Sequence, residues 1–323
     1  MASNKYANKK QHFVPACYLK AWLDPEAPRG AKAMPYLWMF DRDGRNPRNK
    51  PPEKIFRETD MYTQLAADGT RDLRLEHGLS GLEGKFTAIR TSKFNFRRPL
   101  TDDEWTWMCF FVTVAHVRTP ALRDHMWDQF RNARTRIEEM MGEVAAESAP
   151  PTFPPAEGRA VPVTPELLDS MVQDPLPMML STSVQAVLPI LLTMQRFVYW
   201  TDDPLGFITS DNPCMWFDPT AHRLPPMRRG VGIQNRNIEI TMPLSPQQCI
   251  VFSHSLFSTG YVQADRAMVD AINHRHAWYA PTTLIACRNE VREEWFEQTP
   301  LPPDAWENTH GRAFDAPHPH EGT

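Results

Sequence analysis

The stretch "TDDEWTWMCFFVTVAHVRTP", residues 101–120, constrains this chain more than any other. Thr101 and Glu104 form a capping box, in which a hydroxyl and a carboxylate each satisfy a free backbone N–H at a helix start. The apolar run behind them predicts a strong helix. Pro120 either ends that helix or opens the next one, with Thr119 as cap and Pro120 at the first helical position. A second helix is therefore expected from residue 120 through "ALRDHMWDQFRNARTRIEEMMGEVAAE". Ahead of both, Leu73, Leu75, Leu79, Leu82, Phe86 and Ile89 recur near helical spacing, although the glycines among them weaken that helix. "TPELLDSMV" repeats the Thr-Pro start, and a further apolar helix is expected over roughly 178–195.

The last third changes character. "RFVYWTDDPLGFITSDNPC" reads as two strands around an Asp-Pro-Leu-Gly turn, and "IEITMPLSP" with "QQCIVFSHS" as another strand pair. "QADRAMVDAINHRHAW" reads as a helix, and "YAPTTLIACR" holds a final strand. Near the start, "LWMF" enters an Asp-Gly turn as a strand, and "KIFRETDMYT" holds a short second one. The expectation is an α+β fold: a helical central region packed on a mainly antiparallel sheet formed largely by the C-terminal third. Residues 11–300 are read as one domain, 1–10 as a flexible N-terminus and 301–323 as a disordered tail.

Composition narrows the function classes. Hydrophobic residues are 41% and charged residues 23% of the 323, the globular range. Lys and Arg number 35 against 39 Asp and Glu, a net charge of −4. That balance argues against bulk electrostatic binding to nucleic acid or to an anionic membrane, and leaves room for a local basic patch. The five cysteines are widely spaced, with no C-x-x-C, so neither a cysteine-pair zinc site nor a disulfide framework is expected. The polar opening has no apolar targeting core. The most apolar run, "VQAVLPILLTM", is too short to span a bilayer. A soluble, cytoplasmic protein without membrane contact follows as the expectation.

Several motifs, taken in order, carry a resemblance: "QHFVPACYLKAW", "LWMFDRDG", "HVRTP", "GFITSDNP", "PLSP" and "AINHRHAWYA". Over roughly residues 11–285 the chain resembles the bacterial family called domain of unknown function 4238. The resemblance implies a shared architecture and candidate positions, and no mechanism comes with it.

His12 stands at the mouth of the apolar opening segment. Imidazole titrates near neutrality, so it suits a general base or a metal ligand; equally, it suits a backbone anchor. Asp211 and Asn212, in "TSDNP", follow a strand end, where a rigid scaffold presents side chains to a ligand. Asp211 suits proton transfer or metal ligation and Asn212 suits substrate orientation; the alternative is a local Asx turn. Glu76 and Glu83 lie seven apart, on one helix face. Arg118 closes a helix, placed either to complement its dipole or to hold a carboxylate or phosphate. His116 falls on the face of Trp105, Cys109 and Val112 and reads as a core histidine. His274 and His276, two apart on a helix, diverge and make a poor metal pair; Asn273 is the inward polar residue.

No P-loop, dinucleotide fingerprint, H-E-x-x-H or G-x-S-x-G occurs. The working expectation is a hydrolase of a phosphoester or nucleic acid, with catalytic His12, Asp211 and Asn212 backed by Glu83 and Arg118. The residue types allow a divalent metal, with no ligand set defined by spacing. The alternative is a non-catalytic binding protein whose polar motifs form an internal hydrogen-bond network. Two basic stretches, "KFTAIRTSKFNFRRP" and "HRLPPMRRGVGIQNRN", mix cations with aromatics or turns; they read either as solvated surface or as a contact surface for nucleic acid or another anion.

Overall fold

A computed structural model describes residues 10–28, 30, 33–65, 70–146, 175–218, 220, 232–255 and 258–297. The "TPELLDSMV" helix, most of the second basic loop and both termini lie outside the described residues. Six helices and thirteen strands are used below. The helices are α1 (Ala16–Leu19), α2 (Arg74–Ser92), α3 (Asp102–Val117), α4 (Pro120–Ala146), α5 (Pro175–Thr193) and α6 (Arg266–Tyr279). The fold is α+β, as the sequence pattern implies.

The capping box forms as expected. The Glu104 amide donates to the Thr101 hydroxyl at 3.3 Å, and the Thr101 amide donates to the Glu104 carboxylate at 2.8 Å. Pro120 opens α4, with the Leu122 amide donating to the Thr119 hydroxyl at 3.4 Å. Helices α2, α3 and α5 bury their apolar faces together, and Phe86 stacks on Phe111 at 4.1 Å between ring centres.

Strands β7 (Gln195–Trp200), β9 (Met215–Phe217), β10 (Glu239–Ser245), β11 (Gln248–Ser253) and β12 (Gly260–Gln263) form a five-stranded sheet in the order β12-β7-β11-β10-β9. All its pairings are antiparallel except β12 with β7. Alternation gives the sheet two apolar faces. Val198, Ile240, Met242, Ile250 and Phe252 join the helical core. Tyr199 and Cys249 face the other way, against Val269 and Ile272 of α6. The sheet therefore lies between α2, α3 and α5 on one side and α6 on the other.

A second sheet joins both ends of the described chain. Strands β2 (Leu37–Asp41), β3 (Arg48–Lys50), β8 (Thr209–Ser210) and β13 (Thr283–Ala286) take the order β3-β2-β13-β8. The two strands around the Asp-Pro-Leu-Gly turn are thus not partners: β7 belongs to the first sheet and β8 to the second. Gly206 makes that crossing possible. Its φ is +62°, and a Cβ there would lie 2.0 Å from the Pro246 carbonyl oxygen. Two small ribbons complete the fold: β1 (Lys10–His12) with β4 (Arg57–Thr59), and β5 (Gln64–Leu65) with β6 (Arg71–Asp72). Among the described residues no helix is long and apolar enough to cross a membrane.

Candidate functional site

The opening segment runs between the helices and the sheets and spends its polar groups on both. The buried Gln11 amide donates to the Thr63 hydroxyl and to Glu76, each at 2.8 Å, and accepts from the Tyr62 amide at 2.6 Å. The Tyr18 hydroxyl donates to the Pro243 carbonyl at 2.6 Å, so the Thr209 hydroxyl, 2.8 Å away, must donate to it. The Trp22 indole donates to the Phe207 carbonyl at 2.8 Å. Arg90 caps the short α1 through the Cys17 carbonyl at 2.8 Å.

His12, Glu83 and Arg118 come together beside this segment. The Arg118 guanidinium is 2% exposed. Its Nε donates to the Phe13 carbonyl at 2.8 Å and its Nη1 to Glu83 Oε1 at 3.0 Å. The reading of Arg118 as a partner for its own helix end is therefore replaced by a long-range bond to the opening segment. The other Glu83 oxygen lies 3.9 Å from the Cys17 sulfur. Burial raises the Cys17 pKa, and the Glu83 charge raises it further, so this thiol is not held as a thiolate.

His12 has two different nitrogens. A neutral imidazole has one donor and one acceptor nitrogen, and His12 Nε2 is buried with no hydrogen-bond partner. Burial lowers the His12 pKa below its ordinary value; Glu83 pulls the other way, and Arg57 and Arg118 push down with burial. The ring is thus neutral near pH 7. Arg118 Nη2 is likewise buried with no partner. Glu83 links the two residues: it bonds Arg118, and its charge raises the His12 pKa.

Asp211 and Asn212 sit elsewhere in the bonding pattern. Asp211 Oδ2 accepts from the Thr282 amide at 3.0 Å and from its hydroxyl at 2.6 Å, which ties the end of β8 to the start of β13. This is a long-range tie in place of the local Asx turn. The local turn is made by Ser210, whose Oγ accepts from the Asn212 amide at 3.0 Å. Burial raises the Asp211 pKa, opposed by the Thr282 and Thr283 bonds, and Asp211 Oδ1 has no partner. No hydrogen bond or ion pair among the described residues joins Asp211 or Asn212 to His12, Glu83 or Arg118. Glu76 and Glu83 share a helix face as their spacing implies, but each has a different partner, Gln11 and Arg118. Among the described residues no group of three or more His, Cys, Asp and Glu side chains is placed to hold a metal.

The remaining polar candidates pack within the fold, and His116 Nδ1 and His276 Nδ1 are also buried without a partner. His116 stacks on Trp216 at 4.2 Å, and burial drives its pKa down to about 4. His276 is 1% exposed, faces Thr241 and has its pKa lowered to about 3, mainly by burial. Asn273 is the inward polar residue: it accepts from the Ile208 amide at 2.9 Å and donates to the Gly206 carbonyl at 2.8 Å. Gln11, Cys17, Tyr18 and Tyr62 were not singled out by sequence reasoning. The one signal for Gln11 was its place beside His12 on a short strand, where one of two neighbours points inward.

These features define an α+β protein whose opening segment packs beside a partly buried imidazole–carboxylate–guanidinium cluster. The family model for a protein of unknown function, DUF4238, matches residues 10–290, and the chain belongs to that family. No curated protein and no solved structure matches it.

Proposed function

We propose that this protein is a hydrolase acting on a phosphoester or nucleic acid, with its chemistry at His12, Glu83 and Arg118. The supporting observation is the pair of unpartnered buried atoms, His12 Nε2 and Arg118 Nη2. The neutral His12 imidazole takes a proton from an attacking water whose oxygen bonds phosphorus as the ester P–O bond breaks, and the imidazolium returns that proton to the leaving oxygen. The Arg118 Nη2–H group holds the phosphoryl oxygen on which charge develops. Glu83 orients the guanidinium and favours the imidazolium that forms. Asp211 and Asn212 support the β8–β13 junction in this reading and stand outside the chemistry.

The test is hydrolysis of bis(p-nitrophenyl) phosphate and of a fluorescent single-stranded oligonucleotide, with and without divalent cations. His12→Asn is expected to lower the rate about 10²- to 10⁴-fold, the usual worth of a general base. No turnover by the wild-type chain, or full turnover by the variant, overturns the reading.

A second reading has its own support. The Gln11 amide makes three bonds and the Tyr18 hydroxyl two, all internal. On that reading the motifs are scaffold for a non-catalytic binding protein, and substitutions at His12 change the melting temperature alone.

A further inference from the structure

The edge of the five-stranded sheet carries a second concentration of functional groups, outside the His12 cluster. The segment from Phe94 to Leu100 crosses β11, β7 and β12 near that edge. Phe94 is buried, and its carbonyl accepts from Gln248 Nε2 at 2.8 Å, which pins the segment to the sheet. Arg97 takes a left-handed conformation, φ +51°, and lays its guanidinium 4.0 Å from the Trp200 ring centre. Phe96 is 63% exposed, and the Arg98 guanidinium lies 5.1 Å from its ring. The Arg98 carbonyl accepts from the Tyr261 hydroxyl of β12 at 3.0 Å.

A cleft of about 450 Å³ extends the same line. Its walls include Leu100, Trp105, Arg196 and Tyr261, with Asp102 as their acidic member. Arg196 lies 5.2 Å from the Trp105 ring centre. Arg196, Val198 and Trp200 alternate onto one face of β7, so the two arginine–tryptophan stacks flank one stretch of strand about 13 Å long. Lys93 is paired with Glu104 at 3.3 Å. Arg97, Arg98 and Arg196 are in no ion pair among the described residues.

Three guanidinium groups on aromatic faces, one of those faces largely open, match one ligand chemistry. We propose that this edge binds single-stranded nucleic acid. Bases stack on Phe96 and on the outer faces of the stacked arginines, while backbone phosphates meet Arg97, Arg98 and Arg196. A duplex hides its base faces and would leave Phe96 without a partner. The inference deepens the hydrolase reading by naming its substrate class. Because it is measured as binding without turnover, the two readings fail separately.

The experiment is fluorescence anisotropy with labelled 12-nucleotide dT and rU strands and a 12-base-pair duplex, using the full chain. The single strands are expected to bind more tightly than the duplex. Phe96→Ala should weaken single-strand binding about tenfold or more, the worth of one stacked base. The Arg97→Ala/Arg98→Ala variant should also flatten the salt dependence by about 1.4 in log–log slope, for two lost phosphate contacts. Absence of binding, duplex binding as tight as single-strand binding, or unchanged affinity in Phe96→Ala overturns the proposal. Should the double variant lose stability, Phe96→Ala decides alone, since its ring is mostly exposed.

Discussion

Replacing Arg118 by Met tests the bonding pattern at its most buried charge. The substitution keeps an unbranched apolar stem and removes the guanidinium. It leaves the Phe13 carbonyl without its 2.8 Å donor and Glu83 without its 3.0 Å counter-ion. Breaking a buried ion pair by deleting one member costs about 3–5 kcal/mol. The Glu83 side chain is 28% exposed, so water recovers part of that cost and about 2–3 kcal/mol remains. The orphaned carbonyl adds about 1 kcal/mol. A total of about 3–4 kcal/mol corresponds to a fall of about 5–7 °C in melting temperature for a domain of this size. Glu83→Gln strands the more buried partner and is expected to cost at least as much. Removing both charges, in Arg118→Met/Glu83→Gln, strands neither and should be more stable than the sum of the single losses predicts. Scanning calorimetry at pH 7 measures all four proteins. A shift under about 2 °C in Arg118→Met, or strictly additive losses, would refute the reasoning.

Three further outcomes are expected. Gly206→Ala puts a methyl group into the Pro246 carbonyl at a positive φ, so it should cost about 2–4 kcal/mol in urea titration; a neutral result would contradict the close approach. Tyr18→Phe leaves the Pro243 carbonyl and the Thr209 hydroxyl with a lost bond each at a fully buried site, and a loss of about 1–3 kcal/mol is expected. The His116 pKa is about 4 in the folded chain against 6.5 as the ordinary value, so the unfolded chain binds more protons between those limits. Its contribution is complete above pH 6.5 and is lost as the pH falls towards 4, by up to about 1.4 kcal/mol per pH unit. His116→Phe should flatten that part of the stability profile, and an unchanged slope between pH 6.5 and 4 would count against a buried neutral ring.

What was legible in the sequence was what depends on near neighbours. The capping box is chemistry between positions three apart, and Thr101 with Glu104 announces it outright. The shared face of Glu76 and Glu83 follows from helical periodicity in the same way. Their partners do not, because Gln11 and Arg118 lie 65 and 35 positions away. Arg118 at a helix end reads locally as a dipole partner, yet its target is the Phe13 carbonyl, 105 positions back. Gly206 reads as a turn residue, while the atom that excludes a side chain there belongs to Pro246. Strand existence was legible from alternation, and strand partnership was not. β8 pairs with β13, and β13 with β2, across separations that no local pattern encodes. For the same reason, the sequence grouped His12 with Asp211 by chemistry alone; among the described residues no hydrogen bond joins the two, and Asp211 is bonded to Thr282.

Two substitutions separate the functional readings at His12. Asn and Gln each remove the imidazole base while keeping an amide near one ring nitrogen. If the ring is only an anchor, they change the melting temperature, by the few degrees that a lost buried hydrogen bond of about 1–3 kcal/mol implies. If Nε2 is a base, His12→Asn loses turnover at temperatures where it is fully folded. In the wild type, moreover, turnover rises with pH and levels off at an apparent pKa below the ordinary histidine value, because burial lowers that of His12. A rate that instead climbs through pH 7 to 8 assigns the proton transfer to another group. The same profile measured on His12→Asn then decides whether this imidazole takes part at all.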